Sequence, residues 1–290
     1  MRIAVCVKWV PDPEYPFQAT IGGVHLDAPG LTYLANPLDM VACEAGVRLK
    51  ELAGGTVKVV TVGPEAAESA LRSGLALGAD SATRVEFEGD GLVAGDPTAR
   101  LLAAVLASDP PDVIICGARS SDSGSGTVPV FLAERLDRPL VTNVVSLSGV
   151  GPLEVERRME GGRRQLLQVH PPAAITVEES LCDPRYPSVL ARRKADRTPI
   201  EVFTPGQLGV DLPDRSVTLI RLQGPRPLAA RLVSPPAGLL ARGRLAFVMA
   251  GGPDQKRSSR RLEGPTPLVV DQLLAYLDAN GVTGSDGRRR

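Results

Sequence analysis

Three short runs of nearly continuous apolar residues constrain this chain more than any other feature. They are RIAVCV from residue 2, VKVVTV from residue 57 and DVIIC from residue 112. Each gives way to a loop and then to a segment whose apolar residues return every three or four positions. A strand that is apolar throughout is buried on both faces, and parallel strands need a helical crossover between them. The alternation predicts strands over 2–10, 56–63, 82–89, 112–117 and 139–147, with helices over 35–55, 64–79, 96–111 and 128–137. Asp96 reads as the N-cap of the third helix, with Pro97 at its first position. The fold class implied is α/β, a doubly wound and mostly parallel sheet.

Past residue 150 the pattern changes. LEVERRMEGGRRQLLQV reads as two strands around an EGG turn, hence a hairpin, and PPAAITVEE supplies another strand. From residue 204 proline, glycine and arginine interrupt every period except that of the helix TPLVVDQLLAYLDANG. The expected organisation is an α/β domain over 1–203 and a C-terminal arm and extension over 204–290, with no internal repeat.

The formal net charge of the 290 residues is zero, which removes the usual electrostatic case for nucleic acid or an anionic membrane as partner. Arginine is concentrated in the last forty or so residues, as a solvated tail or a docking surface. Cys6, Cys43, Cys116 and Cys182 form no CxxC pair, and three of them lie in apolar runs, which suits a reducing cytoplasmic setting. The N-terminal residues read as a first strand, not a signal peptide. No apolar run approaches the roughly 20 residues that span a bilayer. The expectation is a soluble protein.

The stretch NPLDMVACEAGVRLKELAGG carries its own helix signals. Asn36 is suited to cap the helix through its side chain, Pro37 to fill the first position, and Asp39 to complement the dipole. Leu38, Val41, Ala42, Ala45, Leu49 and Leu52 recur at helical spacing, and Gly54 and Gly55 supply the stop.

GARSSDSGSGTVPVFLAERL follows the strand DVIIC and precedes a helix, the place where open parallel sheets bind ligands. Gly117, Gly124 and Gly126 with their neighbouring serines let backbone N–H groups approach an anion at a helix N-terminus. A phosphate cradle and an ordinary βα loop are equally open readings of that composition. The loop is neither a Walker A loop nor the dinucleotide fingerprint. His25, His170 and Asp122 lack the partners that acid–base catalysis needs, and no metal-ligand spacing occurs. A sheet of this kind without acid, base or nucleophile points to a carrier or a binding module.

MRIAVCVKWVPD, NPLDMVACEAGVRLKE, VTVGPEAAESALRSGLALGAD, GARSSDSGSG and CDPRYPSVLARRKADRTPIEVFTPGQLGVDL together resemble the β subunit of electron transfer flavoproteins, the FixA family, collinearly to about residue 212. The resemblance implies an adenine-nucleotide-binding α/β fold and a heterodimer whose α subunit holds most of the redox FAD. It implies AMP in this chain, or a second FAD with NADH as donor in electron-bifurcating members. By matching motif, the nucleotide pocket falls on Cys6, Asn36, Pro37, Leu38, Asp39, Val62, Gly117, Ser120, Asp122, Ser123, Gly124, Ser125, Gly126, Thr127 and Val128. A recognition loop for flavin-dependent dehydrogenases falls on Arg185, Tyr186, Pro187, Ser188, Val189, Leu190, Ala191, Arg192, Arg193 and Lys194. The implied acceptor is a quinone oxidoreductase, and the arm over 204–290 would dock on the α subunit. A nucleotide-binding regulatory module without redox role is the reading from another class.

The chain departs from that pattern at four places. The loop carries Ser123, Gly124, Ser125, Gly126 and Thr127 where the family is rich in Asp, Asn and Gln. Val189 replaces the usual leucine anchor, and Arg158 stands where a carboxylate is common before the Glu-Gly-Gly turn. A tyrosine common after the first strand is replaced around Pro13.

Overall fold

Alternation along the first strand decides the layers. In β1 (Arg2–Cys6) and the residue after it, Ile3, Val5 and Val7 enter one apolar cluster, while Ala4 and Cys6 enter another. Successive side chains of a strand point to opposite faces, so a run apolar at every position is covered on both sides. The computed structural model describes residues 1–12, 14, 32–87, 95–212, 238–249 and 262–279. His25 and Pro13 lie outside the described residues, as do residues 250–261 and 280–290 of the C-terminal extension.

In chain order, β1 is followed by β2 (Trp9–Pro11), β3 (Tyr33–Ala35), α1 (Pro37–Ala53), β4 (Thr56–Gly63), α2 (Glu68–Leu77), β5 (Ser81–Glu86), α3 (Gly95–Ser108), β6 (Val113–Gly117) and α4 (Val128–Arg135). There follow β7 (Leu140–Ser148), β8 (Leu153–Arg158), β9 (Arg164–Val169), β10 (Ala173–Val177), α5 (Val189–Arg197), β11 (Ile200–Phe203), α6 (Ala241–Met249) and α7 (Thr266–Ala279). Nine strands form one sheet in the order β11-β5-β4-β1-β6-β10-β7-β8-β9. It is parallel from β11 to β7, and the expected hairpin β8–β9 adds an antiparallel edge. Residues of α1, α2 and α5 share a core with one face, and residues of α3 and α4 with the other. The doubly wound expectation holds.

Two local expectations change. The run over 2–10 is two strands: Lys8 gives its backbone N–H to the Asp39 carboxylate, and the chain leaves the sheet there. Trp9 then starts an antiparallel ribbon with β3, its ring stacked on Tyr33 at 4.1 Å between centroids. Asp96 does not cap α3 from outside, because the helix begins at Gly95. Its carboxylate instead joins Arg100 at 3.0 Å and Arg135 of α4, tying the two helices that cover one face.

The chain divides into two units, Met1–Gly224 and Pro225–Arg290. Leu208, Val210 and Leu212 pack on the core of the first, which therefore runs past residue 203. The second unit contains α7, as the sequence pattern indicates, and α6, which it does not. No helix among the described residues is long and apolar enough to cross a membrane.

Candidate functional site

The carboxyl ends of β1 and β6 lie side by side, with Cys6 directly opposite Cys116. α1 begins above them. Asp39 of its first turn accepts Lys8 N–H at 2.8 Å through Oδ2 and Gly117 N–H at 3.0 Å through Oδ1. One buried carboxylate thus joins two strand ends and a helix start, and Gly117 is the residue that lets them meet. A Cβ there would overlap Asp39 Oδ1 and come within 2.9 Å of Leu38 Cβ.

Asn36 does not do what its position suggests. Its side chain makes no cap hydrogen bond. Oδ1 accepts Ser121 N–H at 3.1 Å and Nδ2 donates to the Arg119 carbonyl at 3.1 Å, while Asp39 and Met40 N–H are taken by the Asn36 backbone carbonyl. The amide is spent on holding the loop after β6 and does not cap the helix. Leu38 N–H takes no acceptor among the described residues.

A second clip closes the other side of the loop. Lys8 Nζ donates to both Asp122 oxygens, at 2.8 and 2.6 Å. Burial alone would push Asp122 up, but Lys8, Ser120 and Ser123 outweigh it and hold the carboxyl below its ordinary value. With Lys8 neutralised by Asp122, positive potential in the loop rests on backbone N–H groups and the α4 dipole. The N–H groups of residues 125–128 take no acceptor among the described residues. Gly124 and Gly126 hold φ at 62° and 60°, and a Cβ on Gly126 would come within 2.8 Å of the Ala118 carbonyl oxygen. Ser120 and Ser123 hydroxyls lie 3.0 Å apart, and those of Ser125 and Thr127 3.3 Å. Cys6, Cys116, Val62 and Val128 share one apolar cluster behind the loop. Cys6 beside it and burial push the Cys116 thiol well up, so it stays neutral as part of that wall.

The candidate nucleotide residues are therefore gathered at one end of the sheet. Pro37 is exposed and presents only a carbonyl to neighbouring groups. The donors and neutral wall fit an anionic group on the loop and a flat apolar group behind it.

Burial pushes the Asp39 carboxyl from 3.8 to about 6, against the pull of the two backbone N–H groups. A raised value means that the folded state holds the proton more tightly than the unfolded chain. Its contribution to stability is complete below about 3.8 and is lost as pH rises through about 6. Asp39→Asn keeps only one of the two acceptors and is expected to cost about 1–3 kcal/mol at low pH. The gap from wild type should narrow as pH rises through that window, which denaturant unfolding at a series of pH values reads directly. A constant gap would exclude a titrating Asp39.

The residues expected to dock occupy a different face. Ser188 caps α5, its Oγ accepting Ala191 N–H at 3.1 Å, so the second half of the expected loop, from Val189 through Lys194, is helical. Tyr186, Val189 and Leu190 are 97, 69 and 78% exposed. Arg185 is engaged with α1: Nε meets Glu44 Oε2 at 2.8 Å and NH1 meets Glu51 Oε1 at 2.6 Å. Arg48 Nε holds the other Glu44 oxygen at 2.6 Å. The helix that opens on the loop therefore also holds the segment expected to dock. Pattern reading missed Lys8, Glu44, Glu51 and Arg119; a lysine inside an apolar strand and the Glu44/Arg48 spacing were the available signals. Arg158 lies 3.4 Å and Arg119 3.5 Å from the buried Glu178 carboxylate.

Comparison with known proteins identifies the family. Residues 27–208 match the model of the electron transfer flavoprotein domain. The chain is 33% identical over 241 residues to the electron transfer flavoprotein subunit beta of Bacillus subtilis, covering 80% of this chain and 91% of that one. It is 33% identical to Protein FixA of Azotobacter vinelandii, covering 81% and 84%. With the electron transfer flavoprotein subunit beta of Thermoanaerobacterium thermosaccharolyticum the identity is 35%, covering 73% and 81%. The chain belongs to the electron transfer flavoprotein family, on its β-subunit and FixA side.

Proposed function

We propose that this chain is the β subunit of a heterodimeric electron transfer flavoprotein that carries electrons in the cytoplasm from flavin-dependent dehydrogenases to a quinone oxidoreductase-type acceptor. AMP is the nucleotide of this chain, and the α subunit holds most of the FAD. The observation that carries the reading is the pair of clips, Asn36 and Lys8–Asp122, which fold the Gly/Ser loop over the strand ends and leave the N–H groups of residues 125–128 available. Those groups, with the Ser123, Ser125 and Thr127 hydroxyls, would hold the phosphate; Cys6, Val62 and Val128 would face the base. FAD supplies the redox chemistry of the complex. The residues of this chain bind, orient and exclude water, and none is asked to transfer a proton. The second unit, whose α7 exposes Leu268, Val270 and Leu273, packs on the α subunit.

The small side chains of Ser123, Gly124, Ser125 and Gly126 favour one second reading, FAD in this pocket of a bifurcating pair that uses NADH. Co-purification with the α subunit, a flavin spectrum and chromatography of the released nucleotide separate the possibilities. AMP beside FAD supports the carrier, FAD alone supports the bifurcating pair, and a colourless monomer rejects both.

Tyr186, Val189 and Leu190 form the dehydrogenase contact. A buried charge at an apolar anchor costs at least about 1–2 kcal/mol, so Val189→Asp is expected to raise the partner concentration for half-maximal transfer about tenfold. Nucleotide content should not change. Unaltered transfer at low partner concentration would remove this surface from the docking assignment.

A further inference from the structure

α5 has a second surface. Leu190, Arg193, Lys194 and Arg197 recur at three- and four-residue spacing, so they share one side of the helix. Together with Thr198 and Pro199 they line an open cleft of about 590 Å³. α5 carries four basic side chains, Arg192, Arg193, Lys194 and Arg197, against one acid, Asp196. No carboxylate among the described residues lies within ion-pair distance of Arg193, Lys194 or Arg197. Arg185 and Arg72, by contrast, are turned to internal acceptors.

The helix is fixed before anything binds. Ser188 caps its start, and Arg72 NH1 donates to the Ala195 carbonyl at 2.6 Å and the Thr198 carbonyl at 3.2 Å at its end. Ala195 is buried against the core cluster on that face. A cationic row on a pre-organised helix loses little conformational freedom on binding.

We propose that this cleft binds an acidic, amphipathic segment of a protein partner, one with carboxylates at helical-turn spacing and a bulky apolar residue at the end that meets Leu190. Charge complementarity selects that occupant. The three cations are spread over more than one helical turn, which matches a row of carboxylates better than a single small anion. The half-apolar rim beside Leu190 gives a side chain somewhere to go. The inference rests on the docking role assigned to α5 and names the chemistry of the partner there.

The test uses the αβ complex and a fluorescein-labelled synthetic peptide with glutamates at four-residue spacing and one terminal leucine, followed by anisotropy. Exposed ion pairs are individually weak, but reversal removes two attractions and adds repulsion, so Arg193→Glu with Arg197→Glu is expected to weaken binding at least about tenfold. Affinity should fall with rising salt, and a glutamine version of the peptide should not compete. Arg193→Gln with Arg197→Gln should give a smaller loss at an unchanged melting temperature. Affinity indifferent to the reversals would overturn the proposal. So would equal displacement of the peptide by inorganic phosphate or by phosphatidylglycerol vesicles, which would assign the cleft to small anions or to a membrane surface. Peptide anisotropy is independent of flavin. A yellow, transferring complex that ignores the peptide rejects the cleft alone; a colourless protein that binds it rejects the carrier reading alone.

Discussion

Gly117→Ala is expected to lower the unfolding free energy by about 3 kcal/mol and to strip the nucleotide from the chain. The added methyl falls on Asp39 Oδ1 and within 3.0 Å of the Leu38 backbone carbonyl carbon, so a flexible side-chain end cannot simply move away. Overpacking of this kind costs about 1–3 kcal/mol. Displacing the carboxylate also breaks its bonds to Gly117 and Lys8 N–H, and a buried donor left without an acceptor costs about 1–3 kcal/mol more. Because α1 and the loop after β6 meet at this point, the Asn36 clip loosens with it. Urea unfolding at constant m-value and nucleotide content measured after desalting read the two effects. A variant within about 0.5 kcal/mol of wild type, with nucleotide retained, would show that α1 and β6 are not in forced contact.

The layers were legible because the strands are apolar at consecutive positions and the helices are not. The hairpin over 153–169 was legible from EGG between two strand-like runs. Sheet order was not: β10 enters between β6 and β7, a pairing of segments with no local signature. The face of α1 was also misassigned in part. Leu52 has the right spacing but is 65% exposed at the helix end, whereas Glu44 is only 1% exposed. A buried glutamate depends on cations it meets in space, and Arg185 is 141 residues away.

At the candidate site, the sequence marked residues that the structure gathers at one end of the sheet, but not the bonds they make. Asn before Pro is what a helix start looks like, and nothing local tells a cap from a clip whose partners lie 83 and 85 residues on. The same holds for Lys8 and Asp122, 114 residues apart. α5 escaped notice because VLARRKADR has almost no apolar stripe; its order comes from Ser188, Arg72 and Arg185 at its ends and from the single buried Ala195.

Arg185→Ala is the complementary expectation, at the other end of α1. The guanidinium holds Glu44 and Glu51 together, and the Arg185 backbone N–H also donates to Glu44 Oε2 at 3.1 Å. Breaking a buried pair costs about 3–5 kcal/mol, but Arg48 remains on Glu44 and Arg185 is itself partly exposed, so the expected loss is about 2 kcal/mol. Burial pushes Glu44 up, yet hydrogen bonds from Arg185 and Arg48 outweigh it and keep the carboxyl below 4.5. A depressed value gives stability that is present above 4.5 and lost as pH falls below it, so removing Arg185 should move the acid limb of unfolding to higher pH. Freed from α1, the segment bearing Tyr186 should lose orientation, and transfer from the partner dehydrogenase should weaken about tenfold with nucleotide retained. Direct contact between Arg185 and the partner predicts the same weakening. Glu44→Gln separates the two: it lies beneath the segment, and it should weaken docking only if Arg185 acts by holding α5 in place.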